Sequence, residues 1–349
     1  IAATAEMVRV VKPSGSIWVN LGDKYAGGRS GPQGVTGQRS DRAQAVTYGT
    51  NAQTFTTDVR HKSLIGIPWR YAIRCIDDLG LILRANVIWS KPNGLPESVT
   101  DRVRRSHEDW FHFTLNPRYY SAVDEIREAH QHPHIAHTGP RSSRGEVDGN
   151  AQHLRMGLSP LGKLPGSVWT IPTEPLHVPD HLGIDHFAAF PTEWPRRIIQ
   201  GWSPRGICVE CGEGRRPVVD RKPMEFRPSP RNLIRKDEQG TALIGNNAGG
   251  TMLSPAETTI TGEACACPEP TAPTRPGTVL DPFGGTGTTA LVAHALGRHG
   301  ISVDMSADYC RLAGWRTTDP KQLAKAARRE YVAPREQAEG QLDLLEGIA

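Results

Sequence analysis

No apolar run in these 349 residues approaches the roughly 20 residues that a bilayer-spanning helix needs. Six cysteines are too few for the disulfide framework of a small secreted domain, so pairs of them point to metal binding in a reducing compartment. A large excess of charge of one sign is also lacking, with 41 Lys and Arg against 37 Asp and Glu. The formal net charge is +4, which suits contact with a polyanion without demonstrating it. The chain has no Gly-Lys-Ser/Thr ending on any glycine-rich turn, which argues against a nucleoside-triphosphate loop. Internal repeats are absent. Methionine is missing from position 1. Ile1 opens a stretch that reads as the end of a helix, so the natural N-terminus is expected upstream.

The length allows one large core, or one core plus an inserted module. Residues 1–11 read as a helix remnant and Ser16–Leu21 as a buried strand. Residues 26–60 are polar and glycine-rich, as a surface loop would be. Pro68 marks a helix start, with Trp69, Ala72, Ile73 and Ile76 expected on one face and Gly80 as the stop. Strands are expected at 81–89 and 109–115, regularity returns at 168–172, and helices are expected at 192–200 and 320–330. Residues 121–165 lose periodicity, and 212–263, rich in Pro, Arg, Gly and Thr, read as a long excursion.

The most informative segment is Thr278-Val279-Leu280-Asp281-Pro282-Phe283-Gly284-Gly285-Thr286-Gly287-Thr288-Thr289. An apolar strand enters a glycine-rich turn that opens a helix, which is the local design of a nucleotide-cofactor site. Glycine lets the backbone approach a ligand, and Thr288 is placed to cap the helix. Asp304 follows the next strand and can accept both hydroxyls of a ribose. The glycine spacing alone also fits a structural turn. Asp281 changes that balance, because a carboxylate ahead of the first glycine repels pyrophosphate and suits a cationic ligand. S-adenosylmethionine has an ammonium and a sulfonium, and no phosphate.

Val19-Asn20-Leu21-Gly22-Asp23-Lys24-Tyr25, Trp89-Ser90-Lys91-Pro92-Asn93 with Pro96-Glu97-Ser98, Arg102 and His107-Glu108, Arg118-Tyr119-Tyr120, His186-Phe187 with Phe190-Pro191, and the turn from Asp281 to Thr289 with Asp304 occur in one order. Together these blocks resemble the DNA amino-methyltransferases, which methylate N4 of cytosine or N6 of adenine. The likeness is to the permuted subgroup whose catalytic half precedes the cofactor half. It implies a Rossmann-like α/β fold with a mixed, mostly parallel sheet and S-adenosylmethionine as cofactor. The cofactor set that the resemblance implies is Asp281, Pro282, Phe283, Gly284, Gly285, Gly287, Thr288 and Asp304, with His186, Phe187, Phe190 and Pro191 at the methionine end. The target-side set is Asn20, Asp23, Tyr25, Trp89, Lys91, Asn93, Ser98, Arg102, His107 and Glu108. Of these, Trp89 can equally be a core residue, Lys91 and Arg102 ordinary surface charges, and His107-Glu108 a local hydrogen-bonded pair.

The family's chemistry resides in Asp, Ser or Asn followed by Pro-Pro and an aromatic. That tetrapeptide is absent, and in the permuted order it is expected before Ile1, so no catalytic residue is assigned. Its carbonyl and polar side chain would bind the amine hydrogens while the aromatic stacks on a flipped base. C5-cytosine methylation needs a cysteine nucleophile, typically after proline, and none of the six cysteines follows one. The expected partner is double-stranded DNA, and the expected setting a bacterial or phage-infected cytoplasm and a restriction–modification system. A methyltransferase for RNA or protein amides, or a DNA-binding remnant, is the alternative.

Cys208-Val-Glu-Cys211 and Cys265-Ala-Cys267 can close a tetrahedral zinc site, or can be four free thiols. The expected organisation is a catalytic and target-side half at 1–120, a target-recognition insertion at 121–165, a return to the core at 166–206, a cysteine-bounded insertion at 207–268, a cofactor half at 278–318, and a helix and tail at 319–349. In the tail, Gln341, Leu342, Asp343, Leu344 and Leu345 resemble the peptide by which bacterial replication proteins dock on the sliding clamp. A terminal amphipathic turn reads equally well.

Overall fold

The computed structural model describes residues 1–26, 59–94, 96–129, 161–184, 189–222, 225–228, 235–236, 242–243, 250–254, 257–267 and 272–331. They divide into two compact units, one of residues 1–121 and 163–173, the other of 122–162 and 174–349.

The first unit holds helix α1 (Ala2–Val10), strand β1 (Ser16–Leu21), helix α2 (Ile67–Asp77), and strands β2 (Ile82–Ser90), β3 (His107–Thr114) and β4 (Val168–Thr170). The four strands form one sheet in the order β1-β3-β2-β4. Two of its pairings are antiparallel, and only β2 with β4 is parallel. The sheet is mixed as expected, but parallel pairing does not dominate this unit. β3 is central and buried along its last six residues. Its side chains alternate between faces. Phe111 and Phe113 are fully buried and join Ile17, Ala72, Cys75 and Leu81 in one core. Each such aromatic contributes roughly 1.5–3 kcal/mol by leaving water. On the other face His112 stacks on Trp18, with ring centroids 4.4 Å apart.

The register of α2 corrects the expected face. Pro68, Ala72 and Cys75 are buried, while Trp69, Ile73 and Ile76 are 48%, 51% and 40% exposed. The sheet-facing stripe is therefore the small-residue one. The helix starts after Gly66, whose φ of +76° suits glycine. Asp23 supplies the missing side-chain cap, accepting the amides of Gly66 and Ile67 at 3.0 Å.

The second unit begins with α3 (Glu193–Trp202) and β5 (Gly206–Cys208). Then come β6 (Arg216–Lys222), β7 (Glu225–Pro228), β8 (Arg235–Lys236), β9 (Ala242–Leu243), β10 (Gly250–Ser254) and β11 (Glu257–Ala264). These six pair antiparallel in nested fashion: β6 with β11, β7 with β10, β8 with β9. The unpatterned excursion is thus a long hairpin. Outside it β5 pairs with β12 (Thr274–Pro276), bringing Cys208 opposite Thr274.

β13 (Thr278–Asp281), α4 (Thr288–Ala295) and β14 (His299–Ser302) form a βαβ unit with parallel strands. α4 is apolar almost all round, and Leu291, Val292 and Ala293 pack with Ile199 and Ala326. Gly300 lets β14 lie against α4, since a Cβ there would sit 2.8 Å from the Ala290 backbone. α5 (Ala307–Thr318) is capped by Ser306 and α6 (Pro320–Ala326) by Asp319, each accepting the amide three residues on.

Candidate functional site

Residues 281–306 close into a turn stapled by two carboxylates. One oxygen of Asp304 accepts the Gly285 amide at 2.9 Å and the other the Ser306 amide at 2.8 Å. Asp281 accepts the Phe283 amide at 3.1 Å and the Thr289 hydroxyl at 2.6 Å. Gly284 donates to Val303 O and Gly287 to Gly284 O, both at 2.8 Å. The glycines are demanded by this shape. Gly287 has φ +74°, and a Cβ at Gly284 would meet Ser302 Oγ at 1.8 Å. Phe283 is 68% exposed, and Met305 is fully exposed.

Thr288 departs from its expected role. The N-cap is Gly287, with no side-chain cap. Thr288 is buried, and its hydroxyl accepts from Arg316 Nη1 at 2.8 Å. Arg316 carried no sequence signal; it is one more polar residue on a charged helix.

Two cavities border this region. One, of about 430 Å³, is lined by Gly285, Ser302, Asp304, Cys310, Ala313 and Gly314 among others. That volume falls in the range of small-molecule sites. It joins two of the expected cofactor residues, Gly285 and Asp304. The other, of about 70 Å³, is lined by Glu174, Phe190, Thr192, Leu291, Arg316 and Lys325 among others. Phe190 lines this smaller cavity with Leu291 of α4 and does not line the one that contains Gly285 and Asp304. Pro191 is buried beside it, and His186 and Phe187 lie outside the described residues. Burial pushes the Glu174 carboxyl up, but Lys325 and the Thr192 amide and hydroxyl outweigh that and hold it below the usual range.

The target-side residues all lie in the first unit, some paired with one another and the rest held by neighbours outside the set. Lys91 lies 4.1 Å from the Trp89 ring and is ion-paired to Glu108. Arg102 lies 4.0 Å from the Tyr25 ring and pairs with Glu97 at 2.8 Å. Trp89 is buried and donates to Ile171 O at 2.7 Å, so it is a core residue. Asn20 donates to Asp109 O, and Asn93 accepts the Thr173 amide. Asp23 is drawn to its helix cap. Ser98 and His107 are exposed. Glu108 takes Lys91 as its partner, so His107-Glu108 is not the local pair that adjacency suggested.

The ligand sulfurs of Cys208, Cys211, Cys265 and Cys267 lie within 4.8 Å of one another. Tetrahedral zinc with bonds of about 2.3 Å places sulfurs about 3.8 Å apart, which this cluster meets with small rotamer changes. Gly212, at φ +73°, donates to Cys208 O at 3.0 Å and closes the knuckle. The Cys211 backbone amide, followed by that of Glu210 and the neighbouring thiols, lowers the Cys208 thiol to about 7 against the effect of burial. A thiol so poised ionises readily when a cation approaches.

Among known proteins, residues 2–209 and 272–314 match the N6/N4 methyltransferase model described as DNA methylase. The chain belongs to that family. The type II methyltransferase M.Cfr9I of Citrobacter freundii is 34% identical over 195 residues, 56% of this chain and 52% of that protein. M.SmaI of Serratia marcescens is 27% identical over 308 residues, 87% of this chain and 68% of its own length. The PvuII DNA methyltransferase (cytosine-N4-specific) aligns over 94% of this chain and 74% of its own, at 16% identity and a TM-score of 0.47. The chain spans 52% and 57% of the relatives M.Cfr9I and M.XycI of Xanthomonas campestris pv. cyanopsidis. The family match breaks after 209 and resumes at 272, so it does not cover the hairpin between them.

Proposed function

We propose that this chain binds S-adenosylmethionine and serves methyl transfer to an exocyclic amine of a DNA base. The observation that carries this is the turn: two carboxylates, at 281 and 304, fixed at either end of a glycine loop that opens onto a 430 Å³ cavity. Asp304 is placed to take the ribose hydroxyls, and Asp281 confers negative charge suited to the ammonium and sulfonium. When bound, the cofactor supplies an electrophilic methyl carbon. Gly284, Gly285 and Gly287 let the backbone approach it, with Phe283 and the Phe190 segment as its apolar neighbours. The target base is flipped out to reach it, since an amine inside the duplex is shielded. N4 of cytosine is favoured slightly over N6 of adenine. The relatives' type II names support a place in a restriction–modification system. The four cysteines hold a structural zinc, and Gln341–Leu345 contact a sliding clamp.

Expression of the complete natural reading frame in a methylation-deficient bacterium, with mass spectrometry of the genomic nucleosides, tests the reading. N4-methylcytosine or N6-methyladenine is expected. Modified RNA or glutamine with unmodified DNA would overturn the substrate assignment.

A further inference from the structure

The cofactor turn is soft by composition, with three glycines in four positions from Gly284 to Gly287. A glycine loop loses much conformational freedom when it orders, so its shape must be imposed from outside. Asp281 and Asp304 hold it through strand ends. A third hold comes from α5. Arg316 is 4% exposed, and its Nη1 lies 3.0 Å from Thr286 O, 2.8 Å from Thr286 Oγ1 and 2.8 Å from Thr288 Oγ1. One turn earlier on the same helix, Ala313 lies so near Gly287 that a Cβ there would come within 2.6 Å of its own. The helix therefore grips the turn by contact at Gly287 and by hydrogen bonds on either side of it.

Packing alone would be served by an apolar side chain. A buried guanidinium is costly unless its donors are met, and here no carboxylate lies within ion-pair distance among the described residues. The acceptors of its Nη1 all belong to residues 286 and 288, and its buried Nε finds no partner among the described residues. We propose that Arg316 is a positioning residue that holds the cofactor turn in its ligand-receiving shape. The inference rests on the S-adenosylmethionine reading of the turn. Burial lowers this guanidinium to about 10, so it stays charged at neutral pH.

The test compares the complete natural protein with its Arg316→Gln, Arg316→Lys and Arg196→Gln variants. Arg196 is a second buried arginine of the same unit, on α3, and is no part of the turn. S-adenosylmethionine affinity is measured by calorimetry, and the Gly285, Gly287 and Gly300 amides are followed by NMR on glycine-labelled, ligand-free protein. Arg316→Gln is expected to weaken binding at least tenfold and to broaden or shift Gly285 and Gly287 while Gly300 stays. Arg316→Lys restores affinity to within about threefold, and Arg196→Gln leaves it within threefold. Affinity of Arg316→Gln within twofold of wild type would overturn the proposal. So would equal disturbance of all three glycines by both glutamine variants, which would mark a general packing role. If the wild type binds no S-adenosylmethionine, the functional reading fails instead, and the glycine signals alone still judge Arg316.

Discussion

Single side chains in this protein often do what their type suggests, but with partners that sequence cannot supply. Asp23 reads as a member of a target-side block, yet its carboxylate caps α2 across forty residues of chain. Replacing it with alanine removes a cap and should cost about 0.5–2 kcal/mol, read as a lower denaturation midpoint. His112 shows no sequence signal at all. It is buried against Trp18, and burial, followed by the nearby Arg84 charge, lowers its imidazole to about 3. The ring is therefore neutral in the folded protein, whereas in the unfolded chain it takes a proton near 6.5. Above that pH its contribution to stability is complete. As pH falls from about 6.5 toward 3 the unfolded state binds a proton that the folded state refuses, and stability drops by up to about 1.4 kcal/mol per pH unit. Chemical denaturation at pH 7 and pH 5 should show this loss, and His112→Gln should shrink the difference. An equal loss in that variant would place the pH response elsewhere.

At the scale of elements, legibility follows periodicity. β1 reads correctly to the residue because an apolar run is bounded by turn residues on one side and Gly22 on the other. β3 reads well because Trp110, Phe111 and Phe113 leave no other option. The β13 to α4 turn is legible because glycine, Asp281 and the apolar strand agree. The nested hairpin from β6 to β11 is not legible. Its strands carry Arg, Thr, Gly and Pro in place of alternating apolar residues, so nothing in a short window reports pairing. The ends of the hairpin are the exception: the cysteine pairs at 208/211 and 265/267 suggest in sequence the closure that the clustered sulfurs display. A zinc clip there closes a long loop and lowers its entropy in the unfolded state. Metal analysis of the purified protein should return about one zinc per chain. Chelation should increase proteolytic cutting between 212 and 264 well before the βαβ unit unfolds. Zinc content near zero, or cutting unchanged by chelator, would leave four free thiols.

For the whole molecule, the family match covers residues 2–209 and 272–314 and leaves the hairpin between them uncovered. The core's class was legible because several short blocks occur in one order, each weak alone. The target-side block was only partly legible. Its charges, Lys91 and Arg102, turn out to be held by Glu108 and Glu97, the first through the pairing of β2 with β3 and the second within the loop between them. The proposed clamp peptide at 341–345 and most of the expected recognition insertion fall outside the described residues. A peptide of 336–349 should bind a bacterial sliding clamp and lose that binding on Gln341→Ala; no binding at high micromolar concentration removes the idea.

The central claim is that the turn between Asp281 and Asp304 receives a sulfonium nucleoside. Calorimetric titration of the complete natural protein with S-adenosylmethionine, and separately with a nicotinamide dinucleotide, tests it most directly. The account predicts saturable binding of the first, weakened at least tenfold by Asp304→Ala, and none of the second. Preference for the dinucleotide, or S-adenosylmethionine affinity indifferent to Asp304, would contradict it.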